Sequence, residues 1–410
     1  MRAQQNLTPF DTLLSLLISG GPLMRTKLWS LTLGNFAIGT GAMIVPGMLN
    51  ELTADLGTTP VAIGVIISAF AITICLGAPF FASWTSAIER RKLLTAALAW
   101  YAFTHVLAAL APGYNTLLVV RVLTAVAAAL FTAQAAATAG LMVHASERGK
   151  AIGLVILGWS FAAVIGMPLG TYLGAHIGWR PTMALVGLVS GLMAAWVWIQ
   201  IPARLYVASL DFAAWKSVLT NKPLMTVVSV TAIQAAGMFT VFAYMALVLK
   251  EFIGAGPTTI SILFACFGVT GVIGNVLAAR MVDRIGTVRV ILIALVCMVV
   301  PMFLWPLTRG SLAMTVILML IWGLGCFAVN GAQQARLLGL APRVASASIS
   351  LNTSAMYFGQ AFGALVGGAV IASFGLVWLS IIGAVLVLIA IVASQVAAGM
   401  ADRQALAQAA

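Results

Sequence analysis

Long apolar runs separated by short clusters of charge, proline and glycine set the rhythm of this sequence. In the first half the runs fall near 28–50, 60–82, 93–111, 115–143, 149–174 and 181–201. In the second half they fall near 223–250, 257–280, 288–307, 311–335, 342–373 and 375–399. Each is long enough for the roughly 20 apolar residues that an α-helix needs to cross the hydrocarbon layer. The pattern predicts an all-α membrane protein of twelve transmembrane helices. Residues 1–27 form an N-terminal segment, 28–201 one six-helix half, 202–222 a linker, 223–399 a second six-helix half and 400–410 a tail. The linker, RLYVASLDFAAWKSVLTNK, is mixed in character and reads as a tether with a surface helix.

Composition removes the alternative of a water-soluble fold. Of the 410 residues, 62% are hydrophobic and 7% charged, with mean hydropathy +1.10. The net charge of +12 reports orientation and not nucleic acid, because the basic residues sit in the short gaps between runs. Seventeen Lys and Arg lie in the N-terminal segment, alternate gaps and the tail, against three (Arg180, Lys250, Arg309) on the other side. By the positive-inside rule both termini are expected in the cytoplasm. The stretch 12–19 is apolar but lacks the basic flank and cleavage site of a signal peptide, and Met24 is a second candidate start. Cys75, Cys266, Cys297 and Cys326 lie inside apolar runs without paired spacing, so no disulfide framework is indicated. His105, His144 and His176 are too scattered for a metal site, and no HExxH, GxSxG or P-loop is present, so no metal, cofactor or enzyme chemistry is expected.

The halves repeat. Gly166, Gly170 and Gly174 in the fifth run match Gly359, Gly363 and Gly367 in the eleventh, and such small-residue stripes let helix backbones approach in lipid. Ile88 before Arg90–Lys92 is echoed by Ile285 before Gly286 and Arg289. Several motifs then carry a family resemblance over about residues 28 to 400. They are RVLTAVAAALF from Arg121, SERGKA from Ser146, GWSFAAVIGMPLGTYLG from Gly158, GWR at Gly178–Arg180, IGTGAMIVPGML in the first run, GCFAVNGAQQARLLGLAP, and SLNTSAMYFGQAFGALVGG. The chain resembles the major facilitator superfamily, in particular its drug/metabolite:proton antiporter branch of bacterial sugar, nucleoside and arabinose-type efflux permeases. The resemblance implies a major facilitator fold in the bacterial inner membrane, a monomer that exports a small-molecule substrate in exchange for protons.

It also assigns roles. Gly166, Pro168 and Gly170 resemble the antiporter motif; Pro168 removes a backbone donor and permits a bend. Asp283, Arg284 and Gly286 resemble the cytoplasmic loop motif, whose acidic residue is implied to latch the outward-open state. The first copy departs from it, with Ser86 and Glu89 at the corresponding places, and Glu89, Arg90 and Arg91 are candidates for a substitute charge pair.

Ionisable groups inside a membrane are functional candidates because an unpaired charge there costs about 3 kcal/mol or more. All nine acidic residues lie in tails, loops or span ends, so proton coupling has no obvious carboxylate. Arg121, about 9 Å into the fourth span, matches the family arginine implied in coupling, although a guanidinium does not itself deprotonate. It would set the field for a partner or snorkel outward; His105 in the third span could titrate or merely pack. The resemblance makes the first, fourth, seventh and tenth spans line the cavity. Asn35, Thr40, Gln134, Thr138, Gln234, Tyr244, Asn330 and Gln334 are therefore substrate candidates, joined by Trp159, Asn352, Met356, Tyr357 and Gln360. Each of these is open to the alternative of interhelical glue. A cavity without a carboxylate suits neutral polar, aromatic or anionic solutes. Uptake on the same fold, or a transporter-like sensor, are the competing functions.

Overall fold

Inside a bilayer each backbone N–H and C=O must be satisfied within the protein, so uninterrupted apolar runs become helices. The computed structural model describes residues 22–144, 147–206, 212–341 and 344–409; the expectations for residues 1–21 lie outside these. Among the described residues, twelve helices are long and apolar enough to cross a membrane. Spans 1 to 6 are Met24–Gly47, Pro60–Phe81, Arg90–Ala109, Tyr114–Met142, Arg148–His176 and Trp179–Gln200. Spans 7 to 12 are Lys222–Phe242, Pro257–Ile285, Thr287–Thr308, Leu312–Leu340, Ala347–Phe374 and Val377–Met400. Among the described residues there is no strand.

Helix ends follow local chemistry. Pro257 starts span 8, where a missing N–H costs nothing. Asn221 Oδ1 accepts from the Leu224 N–H at 3.1 Å to cap span 7. Gly286 ends span 8 at φ +82, a conformation that a side chain would strain.

Four local departures from the expected runs matter. The seventh run does not continue as one helix to residue 250: span 7 stops at Phe242, the chain turns at Ala243 and Tyr244, and a separate helix covers Met245–Ile253. Span 1 behaves likewise, ending at Gly47 before the helix Leu49–Asp55. Span 5 widens into a π-helical turn at Ala162–Gly166 immediately before Pro168, which offers no N–H and cannot accept a carbonyl pressed against its ring. The last helix also runs on to Ala409, through the segment expected as a tail. The linker contains a helix, Phe212–Thr220, whose Val218 is buried against Leu224, Val227, Leu337 and Ala397. It is therefore docked on the second set of spans, not merely strung between the two.

The packing is the same twice over. Span 1 packs on 5 and 6, span 2 on 4, and span 3 on 4 and 6; span 7 packs on 11 and 12, span 8 on 10, and span 9 on 10 and 12. Two further pairs, 2 with 11 and 5 with 8, join the sets and are each other's counterpart. The glycine stripes lie on the within-set contacts. Side chains placed at Gly166, Gly170 and Gly174 would strike Thr40, Ile44 and Met48 of the first span and its following turn, and at Gly359, Gly363 and Gly367 the backbone carbonyls of Ala232, Ala236 and Thr240. A Cβ at Gly363 would overlap the Ala236 carbonyl, whereas one at Gly153 meets nothing within 4 Å. Gly363→Val is expected to destabilise the protein by about 2–3 kcal/mol or more, and Gly153→Ala to leave it unchanged or slightly firmer. Thermal unfolding in detergent compares the two.

Candidate functional site

Spans 1, 7, 2 and 11 with 4 and 5 converge on one cavity. Its wall is built from Ala42, Met43, Val45 and Pro46 of span 1, Ile66, Ile67, Phe70 and Ala71 of span 2, Arg121 of span 4 and Trp159 of span 5. Phe239 and Phe242 of span 7 and Tyr357 and Gln360 of span 11 complete it. Its volume is about 50 Å³, room for about three waters. Both sets of six spans contribute, so any solute here touches both.

The cavity is sealed on the side away from the termini, called distal below. Ser68 Oγ donates to the Ala361 carbonyl at 2.9 Å, and Ser261 Oγ to the Pro168 carbonyl at 2.7 Å. These are one contact made twice: Ser261 follows Ser68, and Ala361 follows Pro168, by the same offset of about 193 residues that relates Gly359 to Gly166. Nearer the distal end, Asn50 Nδ2 donates to the Ala246 carbonyl at 3.2 Å, linking the short helices after spans 1 and 7. Gly268 gives the fit between spans 8 and 5, since a Cβ there would collide with the Ala163 carbonyl. Tyr244, at the turn after span 7, donates to the Ala364 carbonyl at 2.8 Å and fills the space left by Gly64 and Gly368. It is part of the seal, outside the cavity wall.

Arg121 is the central electrostatic fact. It is buried, and Nη2 donates to the Gly41 carbonyl at 3.0 Å. Its guanidinium lies 4.5 Å from the Phe70 ring centroid, while Nε and Nη1 find no partner. Among the described residues it makes no salt bridge; Glu51, Asp55, Glu89, Glu147 and Glu251 lie between spans and Asp283 in the last turn of span 8. It does not snorkel to the distal surface. An unpaired charge in this environment costs about 3 kcal/mol or more. His105 sits close by without entering the wall: Nδ1 is 2.9 Å from the Tyr101 carbonyl, and Nε2 is buried without a partner beside Gly41. Tyr101 donates to the Ile38 carbonyl at 2.8 Å.

Of the other sequence candidates, Trp159, Tyr357 and Gln360 line the cavity, and the rest serve packing or bonding. Asn35 Nδ2 donates to the Val155 carbonyl at 3.0 Å, tying span 1 to span 5. Thr40 covers Gly166. Thr138 donates to the Gln134 carbonyl of its own helix. Asn352 Oδ1 accepts from Thr231 at 2.6 Å, and Gln234 Nε2 approaches Met298 Sδ at 3.8 Å. Met356 packs on the core, and Asn330 and Gln334 are half-buried away from the cavity wall. Gln134 does not face the cavity: its Oε1 accepts from buried Arg90 at 2.6 Å, while Arg90 Nη2 also reaches the Thr85 carbonyl at 2.6 Å and the Ser86 carbonyl at 3.0 Å.

That arrangement corrects the expected charge pair. Glu89 pairs with Lys92 at 3.5 Å and accepts from the Arg204 N–H at 3.2 Å, not with its arginine neighbours. Arg90 turns inward to cap the end of span 2, and Arg91 lies 4.1 Å over Trp198. At the matching turn Asp283 and Arg284 are exposed, and Asp283 makes no ion pair among the described residues.

Sequence reasoning missed Phe70, Phe239 and Phe242, which nothing distinguishes from lipid-facing apolar residues. It also passed over Ser68 and Ser261, although their repeat-related positions are a readable signal. Glu51 was seen only as a span-end acid. It is half-buried in the short helix Leu49–Asp55, with one carboxylate oxygen unpaired. Burial pushes its carboxyl above the usual range, opposed by its own backbone N–H and by Lys250 on the facing helix.

Twelve membrane helices in two matched sets, enclosing a cavity lined from both, define a membrane transporter. The sequence matches the Major Facilitator Superfamily over residues 31–256 and 227–399. The chain belongs to that superfamily. It is 29% identical over 361 residues to the inner membrane transport protein YdhP of Escherichia coli strain K12, covering 87% of this chain and 92% of that one. It is 28% identical over 373 residues to a probable sugar efflux transporter of Helicobacter pylori strain J99, covering 90% and 94%. Among solved structures, a bacterial homologue of the human lysosomal transporter Spinster, inward-facing and unoccupied, superposes with a TM-score of 0.74 at 18% identity, covering 92% of this chain and 97% of that one.

The buried polar contacts set two expectations. Gln134→Leu leaves a buried Arg90 N–H unpaired and is expected to cost about 2–3 kcal/mol; Gln334→Leu is expected to cost little. Chemical or thermal unfolding of both variants checks this. For Glu51 the sign is set by its raised carboxyl: the protonated form favours the folded, distally sealed structure, so this contribution is complete at low pH and fades as pH rises through the raised value. The melting temperature of the native protein should therefore fall more steeply than that of Glu51→Gln, where a neutral amide stands throughout, as the pH rises above the ordinary carboxylate range.

Proposed function

We propose that the protein is a secondary active exporter of a small solute, drug or metabolite, working by alternating access in exchange for protons. It lies in the bacterial inner membrane with both termini in the cytoplasm, so the distal side is periplasmic. The observation that carries this reading is the cavity reached from both sets of spans and closed distally by two repeat-related hydrogen bonds. A seal built from equivalent halves can open on one face as the other closes, by rocking about the site. The seventeen-to-three distribution of basic residues supports the orientation. On that orientation the state seen here is closed to the periplasm, and the exposed Asp283, without an ion pair among the described residues, fits a released latch.

Export is supported by the Gly166–Pro168–Gly170 segment, where the antiporter-like motif carries the π-helical turn and receives the Ser261 bond at Pro168, in the interface between the two sets. The efflux name of the Helicobacter relative points the same way. Among the described residues no carboxylate lines the cavity, so the transported proton is exchanged by another route: through His105, through an acid such as Glu51 at the distal seal, or on the solute itself.

Everted membrane vesicles containing the protein test the direction. On acidifying the lumen by respiration they should accumulate a labelled substrate, and collapse of the pH gradient should release it. Accumulation only in right-side-out vesicles would instead make the protein an uptake carrier.

A further inference from the structure

The buried guanidinium that no described carboxylate neutralises identifies what the cavity takes. Arg121 belongs to the cavity wall; its Nη2 donates to the Gly41 carbonyl and Phe70 lies beside the guanidinium, while Nε and Nη1 are buried without a partner. A guanidinium is a planar fork that matches a carboxylate, and it stays charged at any ordinary pH. The rest of the wall is apolar and aromatic: Phe70, Trp159, Phe239 and Phe242, with Tyr357 and Gln360 facing from span 11. We propose that Arg121 seats the carboxylate of an organic monoanion whose aromatic or aliphatic body lies against this aromatic wall. The inference rests on the transporter reading above and specifies its substrate class.

Two physical points favour an anion over a neutral polyol. A sugar hydroxyl could accept one hydrogen bond from Arg121 but would leave its charge uncompensated, and besides Arg121 the wall offers only the Trp159 indole N–H, Tyr357 and Gln360 for the remaining hydroxyls. A cationic solute would meet a like charge with no carboxylate in the wall. The cavity volume of about 50 Å³ has room for a carboxylate but not for a ring as well, so the body is accommodated as the walls part. A bound anion touches Arg121 of one set and span 11 of the other, which gives it leverage over the rocking of the two.

Equilibrium dialysis of labelled benzoate on the purified full-length protein in detergent, at fixed ionic strength, tests the assignment. Thermal shift with acetate, benzoate, 1-naphthoate, benzyl alcohol, benzylamine and glucose accompanies it. Benzoate or naphthoate is expected to bind saturably and raise the melting temperature, while benzyl alcohol, benzylamine and glucose do not. Arg121→Gln should abolish the effect, and Arg121→Lys, which keeps the charge without the fork, should weaken binding by about tenfold or more. If Arg121→Gln fails to fold, the lysine variant decides. Undiminished benzoate binding in the folded variants, equal protection by glucose or benzyl alcohol, or no response to any carboxylate overturns the proposal. Carboxylate binding without counterflow of the same acid in liposomes would retain the seat and remove the transport reading; glucose counterflow with no carboxylate response would do the reverse.

Discussion

Close approach of helix backbones is the constraint on which everything else here depends. Lipid is as apolar as a leucine side chain, so helices in a bilayer gain little from hiding hydrophobic surface and must hold one another by contact. In this protein the contact is made where side chains are missing: the glycine stripes of spans 5 and 11 lie on spans 1 and 7, and Gly268 and Gly274 let span 8 press on span 5 and span 10. The within-set contacts hold each set of six spans together. The contacts between the sets are fewer in kind, two serine-to-carbonyl bonds, an asparagine bridge and small-residue fits, each cheap enough to be broken and remade.

Placed inside that frame, Arg121 takes on a meaning that its composition alone does not give. A lone charge at a lipid-facing position would swing to the interface; here the side chain is enclosed, braced by the Gly41 carbonyl and Phe70, with Nε and Nη1 buried and short of partners. The other buried arginine of the same set, Arg90, shows the contrast. It donates to Gln134 and to the carbonyls of Thr85 and Ser86, and so braces the end of span 2. Arg90 has both terminal nitrogens bonded and only Nε without a partner, whereas Arg121 lacks a partner at Nη1 as well as Nε, and that extra unmet terminal nitrogen separates a brace from a candidate site.

Much of this was readable in the sequence, for physical reasons. Span positions, the repeat and the glycine stripes are periodic signals long enough to stand above chance. The break after span 7 was hidden because Ala243 and Tyr244 contain neither glycine nor proline, and the apolar run passes through them unbroken. Gln134 was misplaced because helical spacing says which residues share a face but not which way that face is turned, and the Arg90 side chain that claims it comes from a different helix 44 residues away. Phe70, Phe239 and Phe242 were invisible for the opposite reason: in a chain that is 62% hydrophobic, an aromatic that lines a cavity looks like one that faces lipid.

The central claim is that the two sets of spans rock about the cavity, closing the distal face as seen here. Paired spin labels measure it directly in liposomes: one pair across the distal face at exposed Ala54 and Glu251, and one across the terminal face at exposed Lys150 and Arg289. The account predicts that each pair shows two distance populations and that a pH gradient shifts them in opposite senses, the distal distance lengthening as the terminal one shortens. A single unshifting distance at both faces would contradict it.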